Sequence, residues 1–211
     1  MMANSQPDRR SLRLGILLSG RGSNFVAIAN SIQAGKLHGV EIAVVISNVA
    51  DAAGIAAAAE LNLPHAVFVS KGRPRAEHDA DLIACLREHK VDLVCLAGYM
   101  RLLSPGFIAA FPNRILNIHP SLLPAFPGLD AQQQAFDYGV KVAGCTVHFV
   151  DEHLDHGAII LQRAIAVLET DDAHSLAERI LVEEHIAYSE AIARVASGDY
   201  EIQRRRYVKR N

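Results

Sequence analysis

Short apolar runs alternate with segments of helical spacing from Leu12 to about Pro120. The runs are apolar nearly throughout, which is the pattern of strands that are buried on both faces. They are LRLGILL, VEIAVVISN, HAVFV, VDLVCLAG and RILNIHP. Between them lie FVAIANSIQAGKL, DAAGIAAAAELNL and AEHDADLIACLREHK, whose apolar residues recur at helical spacing, and a shorter helix around PGFIAAF. Repeated β–α units of this kind predict a parallel sheet with helices on both faces.

The pattern changes after Gly128. A helical segment, AQQQAFDYG, is followed by two consecutive strand-like runs, CTVHFV and AIILQRAIAV, and by a long helix from about Asp171 to Ala196. Two strands in succession without a helix between them predict an antiparallel addition to the sheet. We therefore expect an α/β fold: a single-domain, Rossmann-like, mostly parallel sheet with helices on both faces and an antiparallel addition in the C-terminal half.

Length and composition favour one domain. The chain has 211 residues, which is enough for one substantial core, and it shows no internal repeat or low-complexity linker. We expect residues 1–11, MMANSQPDRRS, to form a disordered tail and residues 12–200 to form the functional domain. Residues 201–211, which include RRRYVKRN, are expected to form a basic, solvated C-terminal tail.

Charge and cysteine content limit the function classes. Lys and Arg total 21 and Asp and Glu total 23, and the formal charge of -2 argues against a nucleic-acid partner. Cys85, Cys95 and Cys145 form no Cys-x-x-Cys pair and are expected to be apolar fillers in a reducing compartment. No segment has the character of a signal peptide or a membrane span. We expect a cytoplasmic protein with no membrane partner.

The turn after the first predicted strand is SGRGSN, residues 19–24. Gly20 and Gly22 allow backbone N–H groups to approach an anion, and the Ser-Asn pair that follows can cap the next helix, whose N-terminus favours negative charge. Phe25 occupies the third glycine position of G-x-G-x-x-G, and no Lys-Ser/Thr follows, so neither a dinucleotide fingerprint nor a P-loop is present. The turn is compatible with a site for one phosphate and also with an ordinary strand-to-helix connection.

A single cation interrupts the apolar segment GYMRLLSP that follows VDLVCLAG. An apolar wall with one cation suits a flat ring system that carries carboxylate or carbonyl groups. Composition alone favours the alternative, in which Met100, Leu102 and Leu103 are core residues and Arg101 is a surface charge.

The segment NIHPSLLPAFPG combines a polar pair with a proline-rich exit. Asn117 and His119 are two residues apart, so in a strand they share one face. The three prolines that follow prevent a continuing helix or central strand. An amide can donate to a developing oxyanion, and an imidazole can move protons near neutral pH. Since no G-x-S-x-G elbow is present, the pair favours acyl transfer without a covalent enzyme intermediate.

The segment HFVDEHLDHG, residues 148–157, is rich in histidine and aspartate. It could form a polar turn, with LDHG as turn chemistry, it could supply a carboxylate partner for His119, or it could bind a metal. The turn is favoured first and the carboxylate partner second. A metal site comes last, because the histidine spacing fits none of the tight zinc patterns.

Taken in order, SGRGSN, AGYMRLLSP, NIHPSLLPAFPG and TVHFVDEHLDHGAIILQ resemble the phosphoribosylglycinamide formyltransferases of purine biosynthesis. The resemblance extends from about Leu14 to Ala196, and NIHPSLLP is highly specific to folate-dependent formyl transfer. Members move a formyl group from 10-formyltetrahydrofolate, their cosubstrate, to the amine of glycinamide ribonucleotide. The resemblance implies that this chain is a metal-free enzyme acting on these two small molecules, as a monomer or a homodimer.

The same resemblance implies a ribonucleotide site in two parts. The turn after the first strand would hold the phosphate, and a segment of the long C-terminal helix would bind the glycinamide end. The implied residues are Gly22, Ser23, Asn24, Leu181, Val182, Glu183 and Glu184.

A folate site is implied as well. It would be formed by an arginine in GRPRAEHD, by the apolar segment after VDLVCLAG, and by the loop in HFVDEHLDHG. The implied residues are Arg75, Met100, Arg101, Leu102, Leu103, Asn117, Asp151, Glu152, His153, Leu154 and Asp155.

The catalytic residues implied by the resemblance are Asn117, His119 and Asp155. Asn117 would donate to the formyl oxygen as it becomes an oxyanion. His119 would stabilise the same charge and exchange a proton with the tetrahedral intermediate, while Asp155 would orient His119 and favour its protonated form.

Two positions depart from the family pattern. Asp130 follows Pro-Gly where the family often has His or Asn, and DHGAII, with His156, replaces the more usual Asp-Thr-Gly-Pro, although Asp155 is retained.

Other functions are kept open. A methionyl-tRNA formyltransferase would need an additional C-terminal domain and a basic surface. A formyltetrahydrofolate deformylase usually has an N-terminal regulatory domain and His-His where this chain has His119-Pro120. A non-catalytic anion-binding module could use SGRGSN alone. A metal-dependent amide hydrolase built on the histidines of HFVDEHLDHG would be sensitive to chelators.

Overall fold

The computed structural model describes residues 10–210, so residues 1–9 of the predicted N-terminal tail lie outside the described residues. The described chain contains a nine-stranded sheet with strand order β3-β2-β1-β4-β5-β6-β7-β9-β8. The strands are β1 (Leu12–Leu18), β2 (Val40–Ser47), β3 (His65–Val67), β4 (Leu93–Leu96), β5 (Ile115–His119), β6 (Val142–Phe149), β7 (Ile159–Ala166), β8 (Tyr200–Gln203) and β9 (Arg206–Lys209). The helices are α1 (Ser23–Gln33), α2 (Ala53–Glu60), α3 (Arg75–Glu88), α4 (Pro105–Ala110), α5 (Ala131–Tyr138) and α6 (Ala173–Ser197).

The five strands from the N-terminal half run parallel. β1 pairs in parallel with both β2 and β4, so the direction of winding reverses at β1. β3 extends this part of the sheet beyond β2, and β5 extends it beyond β4. In sheets of this type, ligands bind outside the carboxyl ends of the strands beside the reversal point. The fold therefore directs attention to the turns that follow β1 and β4.

The sheet continues with antiparallel strands. β6 pairs antiparallel with β5, and β7 pairs antiparallel with β6. The register places Asn117 opposite His148 and His119 opposite Thr146. Residues that face each other across antiparallel strands lie on one face with their side chains in reach of each other. The predicted fold class, including its antiparallel addition, is thus confirmed.

Two apolar cores lie on opposite faces of the sheet. Leu14 and Ile16 of β1 contribute to one core with Phe25 of α1 and Tyr188 of α6, whereas Leu17 contributes to the other with helices α3 and α4. This division follows from the alternation of side chains along a strand. The burial of both faces explains why β1 is apolar in sequence.

Helix α6 is fixed at its start and to the middle of the sheet. Asp172 accepts a hydrogen bond from the amide of Ser175 at 2.7 Å, and the Ser175 hydroxyl accepts one from the Asp172 amide, which together form a capping box. The buried hydroxyl of Tyr188 lies 3.0 Å from the carbonyl oxygen of Leu96 and 3.1 Å from that of Leu116. This anchor sets the position of α6 against the end of β4 and the start of β5.

The C-terminal segment differs from the expected solvated tail. β8 and β9 form an antiparallel hairpin, and Arg206 of β9 pairs with Ile159 of β7. Tyr207 packs against Phe149 of β6 with ring centroids 5.3 Å apart. The charges of Arg204, Arg205 and Arg206 led to the prediction of a solvated tail. The segment also carries apolar residues, and these cover the edge of the sheet. Within the described part of the chain, no helix combines the length and apolarity needed to cross a membrane.

Candidate active site

A cleft of about 410 Å³ opens beside the reversal point of the sheet. Its walls are the turn after β1, the segment after β4, the end of β5 and the first half of α6. The Ser19 amide donates to the Gly98 carbonyl at 3.0 Å, and the Ser19 hydroxyl accepts from the Met100 amide at 2.8 Å. These bonds hold the turns after β1 and β4 together, so the cleft has a fixed floor.

The predicted phosphate turn lies in this cleft with its backbone shaped for an anion. Gly22 is the N-cap of α1 and has the left-handed angle φ 71°. A Cβ at Gly22 would lie 2.9 Å from the Cα of Gly54, so a side chain there would displace backbone. No side chain caps α1, contrary to the capping expected from Ser23 or Asn24, and its first turn carries no acidic residue. The open N-terminus is therefore available to an anionic ligand.

A buried carboxylate lies in the same cleft, beside the start of α1. Glu184 of α6 is 6% exposed, and its Oε2 accepts a hydrogen bond from Asn24 Nδ2 at 2.7 Å. Burial raises the pKa of Glu184 above its usual value, although the bond from Asn24 opposes the shift. Asn24 thus connects α1 to α6, and Glu184 presents a carboxylate for which ionisation is costly unless a cationic or hydrogen-bonding ligand arrives.

The other residues that were predicted to bind the ribonucleotide do not all face the cleft. Ser23 and Leu181 line the cleft, and Leu181 precedes Glu184 by one helical turn. Val182 is exposed and does not line it. Glu183 instead accepts a hydrogen bond from Arg163 of β7. The structure therefore does not bring Val182 and Glu183 into the cleft with the rest.

Asn117 is held by a histidine of the neighbouring strand. Asn117 Nδ2 lies 3.3 Å from Nε2 of His148, and His148 Nδ1 lies 2.8 Å from the carbonyl oxygen of Phe149. Burial lowers the pKa of His148, which favours the neutral ring. In the neutral tautomer Nδ1 donates to Phe149, so Nε2 accepts from Asn117. One N–H of the Asn117 amide is thereby fixed, and the other is free for a ligand.

His119 and Asp155 meet at the end of β5, although they belong to distant parts of the sequence. His119 Nδ1 lies 3.5 Å from Asp155 Oδ2, and the two side chains are 6% and 9% exposed. His119 Nε2 donates to the Phe126 carbonyl at 2.8 Å. Both ring nitrogens therefore face acceptors, and only the imidazolium can donate to both. The structure places Asn117, His119 and Asp155 in one polar cluster that His148 completes.

The loop between β6 and β7 presents Asp155 in a constrained geometry. Asp155 has φ 49°, a left-handed conformation that non-glycine residues seldom adopt. Its Oδ2 accepts a hydrogen bond from the Gly128 amide at 2.8 Å, and its Oδ1 lies 3.7 Å from His148 Nε2. Asp155 therefore connects this loop to the proline-rich segment after β5, so it is more than part of a polar turn.

Further polar residues fix the proline-rich segment. Thr146 donates to the Ser121 carbonyl at 2.7 Å and accepts from the Leu123 amide at 3.0 Å. Gln162 of β7 donates to the Leu123 carbonyl at 2.9 Å. These bonds hold the chain that follows His119 against β6 and β7.

The residues predicted for the folate differ in their surroundings. Met100 and Leu102 are 71% and 57% exposed, so their apolar side chains are accessible to a ligand. Leu103 instead packs against the core that contains α3 and α4. Arg75 is the exposed first residue of α3. Arg101 is turned away into the protein and donates to the carbonyls of Ser70 and Arg73, both at 2.9 Å. Its guanidinium therefore supports the loop before α3.

The loop residues Asp151, His153 and His156 form a small cluster of their own. Their potential ligand atoms lie within 4.8 Å of one another. The bonds from the His153 amide and the His156 ring lower the pKa of Asp151, although burial opposes this shift. His156 already engages both ring nitrogens, one with Asp151 and one with Arg205. Glu152 and Leu154, the remaining predicted folate contacts of this loop, are exposed.

His148, Thr146 and Gln162 were not predicted as site residues. The alternation of polar and apolar residues in CTVHFV placed Thr146 and His148 on one face of a strand. Sequence alone did not give the pairing partner of that strand. The contact of His148 with Asn117 follows from the register of the paired strands, which only the structure gives.

The formyl transferase family model matches residues 12–192. A trifunctional purine biosynthetic protein adenosine-3 of Drosophila pseudoobscura pseudoobscura is 45% identical over 197 residues, which cover 92% of this chain and 14% of the relative. The chain thus spans a small part of the length of the trifunctional relatives it matches. The phosphoribosylglycinamide formyltransferase of Escherichia coli K12 is 38% identical, covering 89% of this chain and 88% of the relative.

Solved structures agree with this relationship. Glycinamide ribonucleotide transformylase 1 from Symbiobacterium toebii is 50% identical and superposes with a TM-score of 0.92, covering 95% of both chains. A formyltetrahydrofolate deformylase from Pseudomonas syringae has a TM-score of 0.90 at 24% identity, covering 96% of this chain and 67% of that chain, a likeness of fold alone. Because the family model spans most of the chain and a relative of similar length exceeds one third identity, the chain belongs to the formyl transferase family.

Proposed function

We propose that this chain transfers the formyl group of 10-formyltetrahydrofolate to the amine of glycinamide ribonucleotide in purine biosynthesis. The observation that carries the proposal is the convergence of Asn117, His119 and Asp155 beside a cleft that holds an open helix N-terminus and a buried carboxylate. The relatives named as phosphoribosylglycinamide formyltransferases support it. A phosphate and an amine on one substrate match the open helix N-terminus and the carboxylate that line this cleft.

The ribonucleotide is held at both ends in this proposal. Backbone amides at Gly22, Ser23 and Asn24 bind its phosphate, because α1 begins there with unsatisfied N–H groups. Glu184, which lines the same cleft, accepts from the glycinamide amine. An ionised Glu184 is costly without a partner, so its pairing with the substrate amine favours binding in the correct orientation.

Transfer proceeds by direct attack. The substrate amine nitrogen forms a bond to the formyl carbon, and the π electrons of the formyl C=O move onto oxygen to give a tetrahedral intermediate. The free N–H of Asn117 and the His119 ring donate to that oxyanion. For this, the Nε2 donor of His119 turns from the Phe126 carbonyl to the substrate. Asp155 stabilises the imidazolium from the opposite side.

Collapse of the intermediate completes the reaction. The attacking nitrogen loses a proton, the oxyanion re-forms the C=O bond, and N10 of the folate leaves and takes up a proton. His119 exchanges these protons as a general acid and base. The products are the formylated ribonucleotide and tetrahydrofolate, so no oxidant or reductant is required.

We further propose that exposed side chains around this centre form the folate wall. Met100 and Leu102 offer apolar surface, and Arg75 offers a cation to the anionic end of the cosubstrate. The loop of residues 151–155 covers the same ligand. Arg101 acts here through the loop of residues 70–73 that it supports. We place the residues that contact the substrates within residues 12–200, and the activity in the cytoplasm, as a monomer or homodimer.

An assay of folate release tests the proposal. Purified chain is mixed with 10-formyltetrahydrofolate, with and without glycinamide ribonucleotide, and tetrahydrofolate is measured. Release that requires the ribonucleotide supports the transferase. Release by water alone indicates a deformylase, and release in neither case leaves a non-catalytic anion-binding module. His119→Ala serves as the matched control, because it removes the proposed acid–base group and should abolish most of the release.

A further inference from the structure

The loop that carries Asp155 is exposed over much of its length. Glu152, His153 and Leu154 are exposed, and Asp155 has a left-handed backbone. Gly157 is buried where a Cβ would lie 1.9 Å from the Phe149 carbonyl oxygen, so the end of the loop passes tightly over β6. His156 lies between Asp155 and Gly157, so contacts that hold His156 also restrict the backbone of Asp155.

His156 is fixed from two directions. Its Nδ1 donates to Asp151 Oδ2 at 3.1 Å, which closes the loop on itself. Its backbone carbonyl accepts a hydrogen bond from Arg205 Nη2 at 2.7 Å, and its Nε2 accepts from Arg205 Nη1. The guanidinium thus contacts both the main chain and the ring of one residue. A two-pronged contact of this kind fixes orientation as well as distance.

Arg205 belongs to a hairpin that is packed against the edge of the sheet. It lies at the tip of the β8–β9 hairpin, directly before Arg206, which pairs with Ile159 at the start of β7. Tyr207 packs on Phe149, the last residue of β6, and Tyr200 stacks on Tyr207 with centroids 5.2 Å apart. The hairpin therefore holds both strands that enter and leave the loop, and Arg205 extends this support to the loop itself.

We propose that Arg205 is a positioning residue for the catalytic carboxylate: through His156 it holds the β6–β7 loop so that Asp155 faces His119. This inference rests on the proposed function for its kinetic consequence, but the loop contact can be tested without activity. Asp155 connects the loop to Gly128 and lies 3.5 Å from His119, so a loop released at His156 would lower the fraction of molecules with the catalytic pair in place.

The effect should be specific for one substrate. The ribonucleotide cleft is lined by residues of the β1 turn, α6 and the ends of β4 and β5, and no described residue of the 151–157 loop lines it. Loss of Arg205 should therefore leave the KM for the ribonucleotide unchanged. The value of kcat/KM for the folate should fall, because the loop carries both Asp155 and the proposed folate contacts.

The test compares Arg205→Gln with Arg204→Gln in the full chain. Arg204 is exposed at the same tip and has the same charge, whereas both hairpin contacts to His156 come from Arg205. Hydrogen exchange is followed for the peptide of residues 150–158 and for the Gly128 amide. We expect faster exchange in both places for Arg205→Gln and no change for Arg204→Gln, with similar Tm for the two variants. Equal exchange in the two variants overturns the proposal, whether or not the chain has transferase activity.

Kinetics provide the second readout. An exposed charge-assisted contact has an effect of order one hydrogen bond, so Arg205→Gln should lower kcat/KM for the folate by roughly 3- to 10-fold. Arg205→Lys, which keeps one donor to the His156 carbonyl, should recover part of this loss. In the Asp155→Asn background, Arg205→Gln should lower kcat/KM for the folate little further, because Arg205 acts through the Asp155 carboxylate. Faster exchange with unchanged kcat/KM, or losses that simply multiply, overturns the positioning role. If the wild-type chain is inactive but the exchange pattern is as expected, the proposed function is refuted. The contact between Arg205 and the loop is then still supported.

Discussion

Replacement of Asp155 by asparagine isolates the charge that faces His119. The exchange keeps the shape of the side chain, and the remaining oxygen can still accept from the Gly128 amide. The carboxylate is 9% exposed and its Oδ2 lies 3.5 Å from His119 Nδ1, so little water screens the pair. The variant therefore removes an electrostatic contribution to catalysis and leaves most of the packing intact.

The size of the loss follows from the distance. Two unit charges 3.5 Å apart attract each other by about 5 kcal/mol at an effective dielectric constant of about 20. The asparagine dipole and local relaxation recover part of this energy, and we take a net loss of about 3 kcal/mol in the transition state, in which His119 is cationic. Since each 1.36 kcal/mol changes the rate tenfold, kcat should fall by roughly 10²-fold.

The assay is steady-state release of tetrahydrofolate with saturating ribonucleotide, accompanied by urea unfolding of each variant. Asp137→Asn is the matched control, because it removes one carboxylate from the exposed face of α5, where Asp137 accepts from Gln133. The control should retain wild-type kcat, and both variants should unfold near the wild-type midpoint. A folded Asp155→Asn variant with kcat within about 3-fold of wild type would refute the electrostatic argument.

Other predictions follow from the remaining groups. Gly22→Val inserts a side chain where backbone approaches an anion, so the ribonucleotide KM should rise sharply in steady-state assays while folate binding is retained; equal loss of both would indicate misfolding. Arg75→Ala should weaken folate binding in calorimetry more than ribonucleotide binding, and unchanged folate affinity would leave Arg75 a surface charge. Burial raises the pKa of Glu184, so its stabilising contribution is present below the unfolded value and is lost as pH rises; Glu184→Gln should therefore need more urea to unfold at pH 7.5 but not at pH 4, and its ribonucleotide KM should increase. Burial lowers the pKa of His148, so its contribution is present above the unfolded value of about 6.5 and is lost as pH falls; His148→Gln should flatten part of the decline in urea midpoint between pH 7 and pH 5.

The pattern of apolar and polar residues was sufficient to predict elements whose structure depends mainly on their own sequence. The apolar runs that became β1, β2, β4 and β5 are buried on both faces, and burial on both faces leaves a continuous hydrophobic signal. Asn117 and His119 could likewise be placed on one face, because their spacing matches the period of a strand. Helix α6 was predicted nearly to its ends, since its start has a capping signal and its end a glycine.

Pattern failed where structure depends on contacts between distant segments. His148 is important only because antiparallel pairing sets it opposite Asn117, and a sequence does not state the register of a strand. The hairpin β8–β9 was missed because Arg204, Arg205 and Arg206 give its tip the charge of a solvated tail. Composition alone favoured Arg101 as a surface charge and the family resemblance implied a folate contact, whereas in the folded chain its guanidinium donates to two backbone carbonyls.

The arrangement of the sheet assigns different tasks to its two halves. The parallel half supplies the open helix N-terminus and the strand ends that line the cleft, and α6 supplies a further wall. The antiparallel half supplies His148 from β6 and Asp155 from the loop after it, and the hairpin at the edge supports that loop. The turn after β1 and the loop that carries Asp155 therefore come from different segments of the sheet. It follows that changes at the far edge of the sheet should act on the rate of transfer and leave ribonucleotide affinity unaltered, whereas changes in the turn after β1 should do the reverse.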